Sequence, residues 1–248
     1  MSSAPSSPHH NMELTHGSLF SGIGGFDLGF ERVGIKTLWQ VECDPYALKV
    51  LEKHWPDVPR YTDIRAVEWG TVPRPDIVSG GFPCQDISEA GHGDGLAGAR
   101  SGLWRFMAMV VSQIRPRYVV VENVSALLYR GLGRVLGDLS EIGYDAEWEI
   151  ISACALGAPH TRERVFIVAY PQSERGLQLR WLQQPKNRQK KGYICQWPHQ
   201  PEPVRMADGI PNRIHRLKCL GNAIVPQVAE EIGRMIMVVE TEGGPTTG

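Results

Sequence analysis

The chain has 248 residues, of which 42% are hydrophobic and 21% charged, an ordinary globular composition that excludes a disordered or fibrous polypeptide. Its apolar runs all fall short of the roughly 18 residues that span a bilayer, and the Ser/Pro/His-rich stretch Met1 to Asn11 has no apolar core for a signal peptide. Five scattered cysteines (Cys43, Cys84, Cys154, Cys195, Cys219) form no CxxC pair, so neither a disulfide framework nor a metal site is expected, and the compartment predicted is a reducing one.

Residues 1–13 read as a disordered leader. Strand-length apolar runs then recur at Gly17–Phe20, Thr37–Val41, Asp76–Ser79, Tyr118–Val121, Trp148–Ile151 and Val165–Ala169. Val119-Val120-Val121 and Val165-Phe166-Ile167-Val168 are apolar on both faces, the pattern of strands in a parallel sheet covered on both sides. Helical patterns lie between. Asp44-Pro45 offers a capping acceptor before a first-turn proline. From Ser101 onward, Leu103, Phe106, Met107, Val110 and Val111 fall on one side. The alternation predicts an α/β domain with a doubly wound, mostly parallel sheet over residues 14–170.

The pattern breaks at 171–212, which holds seven Gln and prolines at 185, 198, 201, 203 and 211. This stretch predicts a small inserted lobe or a long ordered loop. Residues 213–240 read as a return to the main domain, with a helix over Asn222–Val239, and 241–248 as a flexible tail. From His160 to Leu220 the chain carries 12 Lys/Arg against 4 Asp/Glu, while the net charge of the whole is −1. A positive segment on a near-neutral chain suits either a polyanion partner or a solvated basic loop.

Several residues sit where chemistry is placed in open α/β sheets, at the carboxyl ends of strands. The first strand runs into Phe20-Ser21-Gly22-Ile23-Gly24-Gly25. A glycine turn there lets a ligand approach the backbone, and the next helix N-terminus favours negative groups. The second strand ends at Glu42, where the ribose of a nucleotide-type ligand is hydrogen-bonded, and Asp63 closes the third. Either acid alone is better explained as a helix cap or a surface acid; together with the turn they favour an adenosine-type ligand. The fourth strand leads to Gly80-Gly81-Phe82-Pro83-Cys84-Gln85 beside a glycine-rich loop, and the fifth to Glu122-Asn123-Val124. A lone cysteine is usually a small buried hydrophobe, and a lone glutamate a cap; at a strand end each can also act as nucleophile or proton carrier.

Phe20-Ser21-Gly22-Ile23-Gly24, Pro83-Cys84-Gln85, Glu122-Asn123-Val124, Arg162-Glu163-Arg164 and Gly221-Asn222-Ala223 occur in this order in the chain. The ordered set, covering about Leu14 to Gly233, resembles the DNA cytosine-5 methyltransferase family, in its short bacterial or phage form. The resemblance implies a fold of the S-adenosylmethionine-dependent methyltransferase type with a small target recognition lobe at 171–212. It implies Cys84 as the nucleophile toward cytosine C6, Glu122 as the contact to base N3 and amine, and Arg164 orienting both, with Arg162 close by. S-adenosyl-L-methionine, leaving as S-adenosyl-L-homocysteine, would be held by Phe20, Ser21, Gly22, Ile23, Gly24, Gly25, Glu42, Cys43, Asp63, Ile64, Pro83, Leu103 and Asn222. Gln85 and Ser88 would lie near the DNA backbone, and Arg180, Lys186, Arg188, Lys190 and Lys191 in the recognition region.

Double-stranded DNA is the partner so implied, for a monomer acting on the nucleoid of a bacterial cytoplasm in restriction-modification or phage DNA protection, with or without a cognate restriction endonuclease. An RNA methyltransferase of the same fold, or a catalytically idle DNA-binding relative, are the alternatives. Two features depart from the family. His160 stands where a Gln usually precedes the two arginines, and the recognition region is short.

Overall fold

The computed structural model describes residues 13–82, 102–158, 160–174 and 213–242. Among these, seven strands form one sheet in the order β3-β2-β1-β4-β5-β7-β6. They are β1 (Thr15–Leu19), β2 (Lys36–Val41), β3 (Arg60–Tyr61), β4 (Ile77–Gly80), β5 (Tyr118–Val124), β6 (Tyr144–Ser152) and β7 (Glu163–Pro171). The helices are α1 (Gly25–Glu31), α2 (Pro45–His54), α3 (Leu103–Ile114), α4 (Leu127–Arg130), α5 (Leu132–Ile142), α6 (Arg213–Asn222) and α7 (Pro226–Glu242). β1 to β5 pair with one another in parallel, as the apolar strands predict, whereas β7 runs antiparallel to both β5 and β6. This corrects the parallel reading of Val165–Val168. An apolar pattern on both strand faces reports burial on both faces, which β7 has, and carries no information on direction.

Alternation along each strand feeds two cores. Tyr118 and Val120 of β5 join Ile77, Phe166 and Val168 against Phe26 and Phe30 of α1 and Val228, Ile232 and Ile236 of α7. Val119 and Val121 join Val78, Val165 and Ile167 against Met107, Val110 and Val111 of α3 and Val135 and Leu139 of α5. The second core draws on the stripe read from Leu103 onward. Each such side chain contributes about 1.5–3 kcal/mol of burial, so the doubly wound arrangement follows from the pattern. α2 begins as expected, with Asp44 Oδ1 accepting from the Tyr46 and Ala47 amides at 2.9 and 3.2 Å and Pro45 in the first turn.

The helix expected over 222–239 is α7, which begins later, at Pro226; a separate helix not expected from the sequence, α6, precedes it and ends at Asn222, with residues 223–225 between. Pro226 at the start of α7 lacks the amide that would continue α6. The break lets the chain pass under the glycine turn, where a side chain at Gly25 would meet the Ile224 carbonyl oxygen at 2.5 Å. Glu122, Asn123 and Val124 lie within β5 itself, and Asp63 follows β3 by a turn. No helix among the described residues is long and apolar enough to cross a membrane.

Candidate active site

A cavity of about 920 Å³ opens at the carboxyl ends of β1, β2, β4 and β5. Of the residues named from the sequence, it brings together Phe20, Gly22, Glu42, Cys43, Asp63, Ile64, Leu103, Glu122, Arg162, Arg164 and Asn222. Ser21, Ile23, Gly24 and Gly25 are not among its lining. Ser21 instead pins the turn from behind: its amide and hydroxyl both reach the Val41 carbonyl, at 3.0 and 3.3 Å. Pro83, Cys84, Gln85, Ser88, Arg180, Lys186, Arg188, Lys190 and Lys191 lie outside the described residues. So do the lobe expected at 171–212, apart from residues 171–174, and the leader and tail, apart from the residues adjoining α7 and β1.

At one end of the cavity the chain binds its own carboxylates. Glu42 Oε2 accepts from the Gly22 amide at 2.7 Å, and Oε1 from the Cys43 and Asp44 amides at 2.8 Å each. Three amides therefore fix the side chain at the tip of β2. Gly22 takes φ +56°, and the space where its side chain would stand is open. Asp63 is gripped by Arg65, whose Nε and Nη2 donate to its two oxygens at 2.8 Å each. That clamp holds the Asp63 carboxyl down at about 2. Phe20, Ile64, Leu103 and Phe106 give the same region apolar surface.

At the other end the charges are less well met. Glu122 points from β5 and is 8% exposed. Arg164 is brought beside it by the register of β5 with β7, in which Val124 faces Arg164, and its Nε lies 3.0 Å from Glu122 Oε1. Burial pushes the Glu122 carboxyl up to about 7, against the opposing pull of Arg164 and then Arg162. The Arg162 guanidinium is pushed down by burial and by Arg164, and its buried Nε has no hydrogen-bond partner among the described residues. Asn123 ties this end to β4: its Nδ2 donates to the Phe82 carbonyl at 2.9 Å, two residues before Cys84. The arrangement can hold a polar planar group against one shared proton, with two guanidinium groups beside it.

A family model described as "C-5 cytosine-specific DNA methylase" matches residues 14–205. The chain belongs to that family. It is 36% identical over 156 residues to the type II methyltransferase M.NgoBI of Neisseria gonorrhoeae, covering 61% of this chain and 49% of the relative. It is 38% identical over 160 residues to the type II methyltransferase M2.BsuMI of Bacillus subtilis, covering 61% of this chain and 41% of the relative. The chain thus spans about half or less of the length of these curated relatives. Among solved structures, a DNA modification methyltransferase from an Escherichia coli prophage is 26% identical with a TM-score of 0.55, over 65% of this chain and 47% of that one. Spodoptera frugiperda DNMT2, at 18% identity and a TM-score of 0.56 over 66% and 51% of the two chains, shares the fold. The sheet is therefore that of the C-5 methyltransferases, as the resemblance implied.

Sequence reading missed several residues that line the cavity: Asp44, Thr62, Arg65, Phe106, Asn123, Lys218 and Cys219. Asn123 was visible as the middle of the Glu122-Asn123-Val124 motif. Lys218 and Cys219 belong to α6, whose docking depends on contacts far away in sequence.

Proposed function

We propose that this chain is a DNA cytosine-5 methyltransferase using S-adenosylmethionine and a covalent Cys84 adduct on a flipped cytosine. The observation that carries the reading is the Glu122–Arg164 pair at the end of β5, opening on the same cavity as the Gly22 turn and Glu42. The donor end fits this cofactor. Open space above Gly22 admits a ligand against the backbone, the apolar wall suits an adenine ring, and Glu42 retains a lone pair on Oε2 for a ribose hydroxyl. Bound there, S-adenosylmethionine supplies a methyl group on a sulfonium centre.

Glu122 and Arg164 act on the base. Near neutral pH a carboxyl pushed up to about 7 is in part protonated, so Glu122 can donate to cytosine N3 and accept from the exocyclic amine. Cytosine C5 is a poor nucleophile while the ring is aromatic. The Cys84 thiolate would add to C6 as the C5=C6 π pair shifts to C4–C5 and the C4=N3 π pair moves to N3, which takes the Glu122 proton and leaves C5 enamine-like. The donor, held by the Gly22 turn and Glu42, would supply its methyl group to the enamine-like C5 and leave as the thioether. Loss of the C5 proton to a base, cleavage of the S–C6 bond and return of the N3 proton to Glu122 would regenerate the ring, the thiolate and the acid. A paired base cannot be reached from both faces, so the nucleotide leaves the stack.

Within this reading, 14–170 with 213–240 form the catalytic domain and 171–212 reads the target sequence. Duplex DNA is the partner, in restriction-modification or phage DNA protection. Incubation with labelled methyl donor and either duplex DNA or transfer RNA tests it. Label in 5-methylcytosine of the DNA is expected; label only in RNA, or none, would overturn it.

A further inference from the structure

Among the described residues, α6 is held in place without a buried side chain of its own, and Ile214 and Leu220 are 79% and 61% exposed. Two of its contacts among the described residues lie at the N-terminus of α2. Lys218 Nζ lies 3.1 Å from Asp44 Oδ2, while the other Asp44 oxygen caps α2. The rings of His215 and Tyr46 stack at 6.0 Å and 18°. A third, longer contact joins Arg162 Nη1 to the Leu220 carbonyl at 3.4 Å. Yet Cys219 and Asn222 of this helix line the same cavity as Glu42 and Cys43.

We propose that Lys218 and Asp44 are positioning residues for the methyl-donor site: their ion pair docks α6 onto α2 and so completes the cavity wall. The inference rests on the reading of the cavity as the S-adenosylmethionine site. A helix docked by an exposed ion pair and one ring stack is docked only part of the time, and donor affinity falls in proportion to the undocked fraction.

Asp44→Asn keeps a good cap for α2 and removes only the charge, which separates the two tasks of Asp44. Calorimetry with S-adenosylmethionine should show Kd raised about two- to fivefold in Asp44→Asn and in Lys218→Met, the range of an exposed pair. The double variant should be no weaker than either single one, and Lys218→Arg should bind as wild type. In the ligand-free protein, amide exchange across α6 should be faster in Lys218→Met, with the thermal midpoint unchanged. Wild-type affinity in both single variants, effects that multiply in the double variant, or unaltered exchange in α6 would each overturn the inference. Multiplying effects would mean that Lys218 touches the ligand itself. A wild-type protein that binds no S-adenosylmethionine would overturn the proposed function instead, and the positioning role with it.

Discussion

The two ends of the cavity treat their carboxylates in opposite ways. At the donor end Glu42 takes three backbone amides and Asp63 takes Arg65, so the chain itself completes these charges. At the base end Glu122 is buried, its carboxyl is pushed up to about 7, and the Arg162 Nε nearby is unpartnered among the described residues. Buried polar groups are rarely left in that state unless something else meets them. The difference teaches which part of the site is preformed and which is completed by what enters. On the proposed reading the Gly22 turn receives the donor, while the buried Glu122–Arg164 pair and the Arg162 Nε, unpartnered among the described residues, meet the polar edge of a base.

Removing the proton carrier gives the largest expected effect. Glu122→Gln should lower methyl transfer by about 10²–10⁴-fold, the range for general acid–base groups, with donor Kd unchanged by calorimetry. A rate within a factor of three of wild type would erase the functional contrast between the two ends.

The same substitution sharpens the contrast through stability. The Glu122 carboxyl rises from 4.5 to about 7 on folding, so the folded state binds its proton more tightly than the unfolded state. Its contribution is then favourable below pH 4.5 and is lost as pH rises toward 7. Above pH 7 Glu122→Gln should be the more stable protein, by about 3 kcal/mol, with the advantage vanishing near pH 4. Denaturant unfolding of both proteins at pH 5 and pH 8 checks the sign. An advantage that does not grow with pH would mean that the carboxylate is already fully met.

At the donor end the expectation reverses. Glu42→Ala leaves three amides without their acceptor and should weaken donor binding by about 1–3 kcal/mol, while also lowering the thermal midpoint. Unchanged affinity would remove Glu42 from the donor site. The smallest effect belongs to the link between the ends. Asn123→Ala frees the Phe82 carbonyl and should cost about 1 kcal/mol in denaturant unfolding.

Much of the donor end was legible because its logic is local. Gly22 follows a strand, Glu42 ends the next one, and Asp44-Pro45 opens the helix after it, each within a few residues of what it serves. The base end depends on strand register: Arg164 meets Glu122 only because β7 lies antiparallel beside β5, and that direction leaves no trace in residues that are buried on both faces. Family resemblance, not periodicity, paired these residues in advance. α6 escaped for a related reason. Ile214 and Leu220 are exposed, and Lys218 finds Asp44 across 174 positions of sequence.

The central claim is the covalent step at Cys84, and trapping tests it most directly. Fluorine at C5 of the target cytosine cannot leave as a cation, so the adduct persists after methyl transfer. Duplex DNA carrying 5-fluorocytosine should give a denaturation-resistant protein–DNA complex only when S-adenosylmethionine is present. Cys84→Ser should abolish it, because a hydroxyl is a far weaker nucleophile at neutral pH, while replacing Cys43, Cys154, Cys195 or Cys219 should leave it intact. A complex that survives Cys84→Ser, or a peptide map placing the crosslink on another cysteine, would contradict the account.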